Sequence, residues 1–195
     1  MFREENFSIL IERLGVLVEL SAPFIAALRS CVVERKFVRN QFVLSAGHRQ
    51  VYLWFIIEGF AREVSPSDYF PFTLSSWFWV PGDLVFQSGI FINGFSLVDV
   101  EIYRGSVVLE IADQDLHGLK ERFPQVDSIL EQFRYLDYEK RKRYAADLVM
   151  LKRLDHIELL FNQHRILFNT ALHRDLASFF GVKSHNLTRY LKHLH

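Results

Sequence analysis

The last twenty residues of the chain, LASFFGVKSHNLTRYLKHLH, combine apolar residues at helical spacing with side chains that can bind nucleic acid. Apolar residues recur at i, i+3, i+4 and i+7, which predicts a helix with one buried face. They are Leu187, Tyr190, Leu191 and Leu194. The start and the opposite face of this helix carry Ser184, His185, Asn186, Thr188, Arg189 and Lys192.

These polar residue types match the chemistry of a DNA groove. An Asn side chain can form two hydrogen bonds with adenine, and an Arg side chain can form two with guanine. Hydroxyl groups, Lys side chains and an exposed helix N-terminus bind phosphates. Because a recognition helix brings its N-terminal residues to the base edges, we predict that residues 184–189 read bases and that Lys192 contacts the backbone.

The residues before this helix predict a helix-turn-helix. Leu172, Leu176 and Ala177 are expected on the inward face of a first helix, and Gly181 is expected in the turn because glycine tolerates a left-handed backbone. Val182 is expected to pack beneath the turn. Ser184 is predicted to cap the second helix. An ordinary pair of amphipathic helices that binds protein remains the alternative.

A net charge of zero conceals an uneven distribution of charge. Residues 139–195 contain 11 Lys and Arg against five Asp and Glu, a net charge of +6, so residues 1–138 carry −6. Six of the eight His residues also lie in the basic segment. A basic end on an acidic body favours a nucleic-acid partner for that end, although a solvated helix face would have a similar composition.

Further elements precede the tail. Residues 7–30 have helical spacing interrupted near residues 21–23, and residues 31–111 contain short β-rich runs separated by turn residues at roughly ten-residue spacing. The runs are CVVERKF, QFVL, VYLWFII, FAREV, FTLSSWFWV, FSLVDVEI and SVVLEI. Asp113 is predicted to cap a short helix that ends near Arg122, and Pro124 is predicted to open a long one.

The long helix is predicted over residues 125–151, about 40 Å at 1.5 Å per residue. It is too long for one small domain to cover, so a symmetric mate or a second domain should pack on it, unless it folds back on its own sheets. A further helix over residues 156–161 and two short ones should complete the chain. The predicted fold class is α+β: an antiparallel sandwich or β-roll (jelly-roll) with flanking helices in residues 1–124, the long helix in residues 125–151, and an all-α helix-turn-helix domain in residues 152–195.

Several classes of protein are excluded by composition. A single cysteine, Cys31, excludes an internal disulfide, thiolate zinc sites and iron–sulfur clusters. The N-terminus is acidic and amphipathic, unlike a signal peptide, and no apolar run reaches about 18 residues, so we expect a cytoplasmic protein with no membrane partner. The sheet region offers only His48 to a cupin-like metal site, and no phosphate loop or nucleophile elbow is present. The sequence predicts neither an enzyme nor a metal site, with the His residues of the tail solvated or facing phosphate.

The ordered features resemble the Crp/Fnr family of bacterial transcription regulators over nearly the full chain. LSAGHRQVYLWFIIEGFAREV and WVPGDLVFQSGIF are similar to the strands and the approach to the phosphate-binding cassette of the family's cyclic-nucleotide-binding roll. KERFPQVDSILEQF resembles the start of its long dimerisation helix, and LASFFGVKSHNLTRYLK its DNA-reading motif. The resemblance implies a homodimer that binds double-stranded DNA and whose roll can sense a small effector.

The chain departs from the family at the cyclic-nucleotide cassette. Gly82 and Asp83 stand at the family's Gly-Glu pair, and Gly94 or Phe95 stands where the family has Arg, although Ser96 is retained. Without the guanidinium, a buried cyclic phosphate loses a charge-assisted bidentate pair, so cyclic AMP is an unlikely ligand. No other cofactor is predicted with certainty.

A different effector, or none, is expected in the roll. The candidate pocket comprises Gly82, Asp83, Phe86, Phe95 and Ser96, beside an aromatic group of Trp77, Trp79, Phe86 and Phe91. The alternative is that these aromatic residues are simply core.

The tail also departs from the family's DNA-reading pattern. His185 stands where many members have Glu, Thr188 replaces a small residue, and Arg189 is retained. The family's wing hairpin after the recognition helix is absent, which predicts a wingless variant with its own target site. The alternative function is a sensor or scaffold module whose C-terminal helices bind protein and not DNA.

Overall fold

The computed structural model describes residues 2–65, 73–86 and 94–194, and these residues form eight helices and eight strands. The helices are α1 (Glu4–Leu17), α2 (Ala22–Cys31), α3 (Asp113–Arg122), α4 (Gln125–Met150), α5 (Arg153–Gln163), α6 (Arg165–Thr170), α7 (His173–Phe179) and α8 (Ser184–Leu191). The strands are β1 (Val32–Lys36), β2 (Gln41–Leu44), β3 (Tyr52–Glu58), β4 (Ala61–Ser65), β5 (Leu74–Trp79), β6 (Leu84–Val85), β7 (Asp99–Ile102) and β8 (Val107–Ala112). Seven of these strands fall on the seven predicted β-rich runs.

The strands form two antiparallel four-stranded sheets that together make a β-roll. The first sheet has the order β1-β8-β3-β6 and the second the order β2-β7-β4-β5. Side chains from both sheets fill the interior, among them Trp54, Ile56, Trp79 and Ile102, each at most 1% exposed. The predicted α+β class with an antiparallel roll is confirmed.

Helices on the outside of the first sheet explain the unbroken apolar run in β3. Trp54 and Ile56 face the roll interior, whereas Leu53, Phe55 and Ile57 belong to a second cluster formed with helices α1 to α4. A strand that is buried on both faces needs apolar residues at every position. The first part of α4 contributes to this cluster, so the predicted alternative of folding back on the roll holds for that part. Its buried residues are Val126, Ile129, Leu130 and Phe133.

The second sheet is covered by the C-terminal helices. Phe60, Phe78 and Tyr103 of the roll lie in one apolar cluster with residues of α5 to α8. Three helix residues of this cluster, Ile157, Leu176 and Leu187, have an exposed fraction of 0%. The roll and the last four helices therefore share one core, while the division at residues 124 and 151 stays a prediction.

Asp113 does not cap α3, contrary to the prediction. Its backbone N–H donates to Val51 O at 2.9 Å, and the N-cap position falls on Ala112. The Asp113 carboxylate instead pairs with Arg49 at 2.7 Å and contacts His117 at 3.2 Å. The sheet hydrogen bond fixes where the strand ends, and the helix consequently begins one residue earlier than predicted.

The C-terminal half also contains one more helix than predicted. The long helix ends at Met150, one residue short of its predicted end, and the helix predicted over residues 156–161 extends over Arg153–Gln163. Three helices follow it instead of two. The additional one, α6, has six residues, which is too short for a helical period to be recognised in the sequence.

Gly59 allows the close approach of two turns of the roll. It has φ +78°, and a Cβ atom at this position would lie 2.7 Å from Ser106 Cα. Gly105 has φ +87°, but a Cβ atom there would meet nothing within 4 Å. The two glycines thus share the backbone strain that a side chain would cause, and only Gly59 adds a steric clash.

We predict that Gly59→Ala lowers the free energy of unfolding more than Gly105→Ala does. A left-handed backbone costs an L-residue about 1–2 kcal/mol, which both variants should lose. The clash with Ser106 should add about 1–3 kcal/mol in Gly59→Ala alone. Urea unfolding followed by tryptophan fluorescence measures both losses, and equal losses would contradict the proposed role of the clash.

Candidate nucleic-acid interface

Helices α7 and α8 are joined by a tight turn. Gly181 has φ +60°, the left-handed conformation that was predicted for it. The turn is closed by hydrogen bonds from Gly181 N to Ser178 O at 3.1 Å and from Val182 N to Ala177 O at 2.9 Å. Buried apolar residues of the two helices then pack on each other, as the spacing predicted. They are Leu176, Ala177, Leu187 and Leu191.

Two predicted details of this motif are wrong. Leu172 is 43% exposed and occupies the N-cap position of α7, because Ala171, one residue earlier, takes the buried position. Ser184 is the first residue of α8, and its side chain makes no capping hydrogen bond. The extended backbone that precedes the helix belongs to Lys183, so the N-cap lies one residue before the predicted position.

The predicted DNA-binding residues share one face of α8. His185, Arg189 and Lys192 are exposed, as is Ser184, while Asn186 and Thr188 are half-buried. Within the described ranges none of these six side chains forms an ion pair, so the charged groups of Arg189 and Lys192 face solvent. Their role in DNA binding stays a prediction.

Local hydrogen bonds orient two of these side chains. Arg189 donates weakly to Asn186 Oδ1 at 3.5 Å, and its guanidinium lies 5.7 Å from the centre of the Tyr190 ring. Thr188 donates to Ser184 O at 3.1 Å and lies 3.4 Å from His173 Nδ1. The remaining guanidinium donors of Arg189 are available for a ligand.

A buried ionic cluster holds α7 on the second sheet. Arg62 of β4 is only 4% exposed and pairs with Glu101 and Asp175, each at 2.7 Å. Tyr103 donates to the second oxygen of Asp175 at 2.5 Å, and burial, followed by this hydrogen bond, raises the pKa of Tyr103 far above its usual range. Asp175 belongs to α7, so the cluster bonds the helix-turn-helix directly to the roll.

A second polar bond reinforces this contact. The backbone N–H of Ser75 in β5 donates to Ser178 Oγ at 3.0 Å, and Ser178 donates to Asp175 O at 2.8 Å. Sequence reasoning missed the whole arrangement. Its signal is a charged residue inside a short apolar strand, namely Arg62 in β4 and Glu101 in β7, which lie opposite each other in the antiparallel register.

The residues of the predicted effector pocket have different contacts in the described structure. Gly82 N donates to Ile56 O at 2.9 Å, and the carboxylate of Asp83 pairs with Lys140 of α4. Phe86 packs against the helix-covered cluster. These three residues thus lie on the side of the roll near β3 and α4.

Ser96 and Phe95 have other contacts. Ser96 is buried and exchanges backbone hydrogen bonds with the turn at Gly47 and His48, at 2.8 and 2.9 Å, whereas Phe95 is 68% exposed. No described contact joins this pair to Gly82 and Asp83, and Phe91 lies outside the described residues. The pocket stays a prediction.

An arginine from α4 covers the tryptophans of the roll. Trp77 and Trp79 are buried core residues, which is the alternative given above for these aromatic side chains. The guanidinium of Arg141 lies 4.7 Å from the Trp77 ring centre and 5.7 Å from that of Trp79, and it pairs with Glu63 at 3.0 Å. Burial alone would lower the pKa of Arg141, but the carboxylates of Glu63 and Asp137 outweigh it and raise that pKa. The charged centre of α4 is therefore partly internal.

No protein-family model matches the sequence, and no curated protein matches it either. Solved structures do. FixK2 from Bradyrhizobium japonicum superposes with a TM-score of 0.68 at 14% identity, covering 84% of each chain. The c-di-GMP responsive global regulator CLP from Xanthomonas campestris gives a TM-score of 0.62 at 20% identity, covering 89% of this chain and 91% of CLP.

A third similar structure is a regulator from Eubacterium rectale that is assigned to the Crp/Fnr family. Its TM-score is 0.69 at 12% identity, and the match covers 90% of this chain and 83% of the regulator. The chain has the Crp/Fnr fold. Structural matches with TM-scores of 0.62–0.69 at 12–20% sequence identity establish the fold alone, and this is the fold that the sequence resemblance predicted. Within the described residues no helix is both long and apolar enough to cross a membrane.

His156 is buried beside the helix-turn-helix without a partner for its ring nitrogen. It is 2% exposed, its ring lies 4.9 Å from that of Tyr144 and 5.9 Å from that of Phe180, and Nε2 has no hydrogen-bond partner among the described residues. Burial lowers the pKa of His156, against a smaller opposing effect of Asp147. Burial and then Lys140 likewise lower the pKa of His164.

We predict that these two histidines make the fold less stable in mild acid. Each binds a proton less readily in the folded chain than in the unfolded chain, where the ordinary pKa is about 6.5, so the free energy of unfolding should fall as pH decreases below about 6.5. His156→Phe and His164→Gln should each reduce this loss between pH 7.5 and 5.5, measured by urea unfolding. A double variant that keeps the full wild-type pH dependence would contradict the assignment.

Proposed function

We propose that this chain is a DNA-binding transcription regulator of the Crp/Fnr type and not an enzyme, working in the cytoplasm. The observation that carries the proposal is the polar face of α8, which a helix-turn-helix presents to solvent with two exposed cations, Arg189 and Lys192, that form no ion pair with any described residue. Helix-turn-helix proteins bind DNA by placing such a helix in the major groove.

Each polar residue of α8 has a proposed role. His185, Asn186 and Arg189 reach base edges, since they lie on the N-terminal and central turns of the exposed face. Ser184 and Thr188 lie in the same turns and join them at the base edges, and Lys192 contacts phosphates. Because His185 occupies a position where many Crp/Fnr members have Glu, the preferred site differs from theirs.

We also propose that the chain is a homodimer formed along α4. Five positions of this helix with heptad spacing are exposed: Tyr135, Tyr138, Lys142, Ala145 and Val149. Alternating intervals of three and four residues are the pattern of a helix pair. Two copies related by a two-fold axis would present their α8 helices about 34 Å apart, one turn of DNA.

The roll is proposed to sense an effector other than cyclic AMP, or none. The cassette lacks its arginine, and the guanidinium of Arg141, which covers Trp77 and Trp79, already pairs with Glu63 and Asp137. An effector that used Arg141 would have to displace two carboxylates.

Arg189→Ala should weaken binding to a selected DNA site by about 1–3 kcal/mol, because it removes the only Arg on the exposed face of α8. The matched control is Arg39→Ala, which removes the same charge from an exposed loop of the roll. Fluorescence anisotropy with DNA selected from a random pool measures both affinities. Equal affinities of wild type and Arg189→Ala would remove this residue from the interface.

The salt dependence of binding separates the two candidate functions. Phosphate contacts release counterions, so affinity for mixed genomic DNA should fall steeply between about 50 and 200 mM salt. Absence of DNA binding by the wild-type chain at low salt would instead favour a module whose C-terminal helices bind protein.

Val149→Glu should convert the dimer into monomers, since it places two carboxylates against each other at the seam of the paired helices. Val38→Glu is a matched control, because Val38 and Val149 are both 84% exposed and only Val149 lies on α4. Sedimentation velocity gives the mass of each variant. A monomeric wild type, or a Val149→Glu variant that remains dimeric, would contradict the proposed interface.

A further inference from the structure

A cleft of about 620 Å³ lies at the surface where the roll, α4 and the C-terminal helices meet. One wall is the second sheet and the turn after it, another is the C-terminal half of α4, and the third is formed by α5, α6 and the end of α7. The volume lies within the roughly 300–1,000 Å³ typical of small-molecule sites. Of the residues predicted for an effector pocket, Asp83 and the neighbouring Trp77 line this cleft, whereas Ser96 and Phe95 do not.

The walls of the cleft are mostly aromatic. Trp77 and Phe78 of β5 lie on the sheet side, and Tyr144 of α4 stacks on Phe179 at 4.6 Å between ring centres. Phe78 meets Phe179 edge to face at 5.1 Å. A planar aromatic ligand can stack or pack edge-on against such rings.

One cation of the cleft has no partner. Arg143 lines the cleft, is exposed, and forms no ion pair within the described part of the chain. A guanidinium donates hydrogen bonds but accepts none, so a ligand that contacts it must carry an acceptor.

The other charges of the cleft are largely balanced internally. Lys140 pairs with Asp83, and Glu139 pairs with Lys142 at 3.4 Å. Burial keeps the pKa of His164 below its ordinary value, so this ring is neutral near pH 7. Asp147 also lines the cleft, one helical turn after Arg143. Of the Lys and Arg residues that line the cleft, only Arg143 has no ion pair among the described residues, which matches a ligand with one anionic group.

We propose that this cleft binds an aromatic molecule that carries a single anionic group. The aromatic body packs against Trp77, Phe78 and Phe179, and the anion pairs with Arg143. A site between the sheet and the last four helices is in contact with both parts of the chain that the proposed regulator must connect. The proposal goes beyond DNA binding and stands without it.

The test uses two related fluorescent dyes with the full chain and no DNA. Anilinonaphthalene sulfonate has an aromatic body and one anion, and phenylnaphthylamine is its uncharged counterpart. We expect saturable, one-to-one binding of the sulfonate, at least about tenfold tighter than that of the amine. Arg143→Gln should remove this preference by weakening the sulfonate alone.

A matched pair of variants locates the dye. Leu154 and Leu159 both lie on α5 and are both 37% exposed, but only Leu159 lines the cleft. Leu159→Glu should weaken sulfonate binding at least about tenfold and Leu154→Glu should leave it unchanged, with thermal unfolding confirming that both variants fold. Equal affinity for the two dyes, equal losses in the two Glu variants, or no saturable binding would each overturn the proposal.

Discussion

The position of the helix-turn-helix depends on one buried guanidinium, that of Arg62. Two carboxylates share it, and they come from opposite sides of a contact: Glu101 from the neighbouring strand and Asp175 from α7. A buried charge is strongly unfavourable unless its partners are in place, so removing α7 would leave Arg62 with half of its compensation. The sheet therefore fixes the position of α7. Leu176 of α7 and Leu187 of α8 lie in the same apolar cluster, so the position of α8 depends on that of α7.

Ion pairs reduce the number of cations in the basic segment, residues 139–195, that could attract a nucleic acid. Three of the cations in the basic stretch of α4 are engaged by acids: Lys140 by Asp83, Arg141 by Glu63 and Asp137, and Lys142 by Glu139. Such pairs have little attraction left for a phosphate. The cations that remain exposed on α8 are few but close together, and these would determine how DNA binding depends on salt.

Local periodicity explains what could be predicted from the sequence. Seven strands, the long helix, and the buried face of α8 follow from the spacing of apolar residues, and Gly181 follows from the backbone that a tight turn requires. The errors at Asp113, Leu172 and Ser184 arise because a shift of one residue is decided by individual backbone bonds. The ion pairs could not be predicted from the sequence, because their partners are far apart along the chain. Arg62 and Glu101 are separated by 39 residues and Arg141 and Glu63 by 78, and only the folded sheet and helix bring them together.

The core that the roll shares with α5 to α8 limits how this chain can be rebuilt. A fragment that ended with α4 would expose Phe60, Phe78 and Tyr103 to water and would leave Arg62 with an unfilled bond. Chimeras that exchange the last four helices with those of a relative would therefore have to carry over the matching sheet surface as well. Exchanging only the exposed side chains of α8 would keep every buried contact, so such variants would alter the proposed DNA-binding face without disturbing the fold.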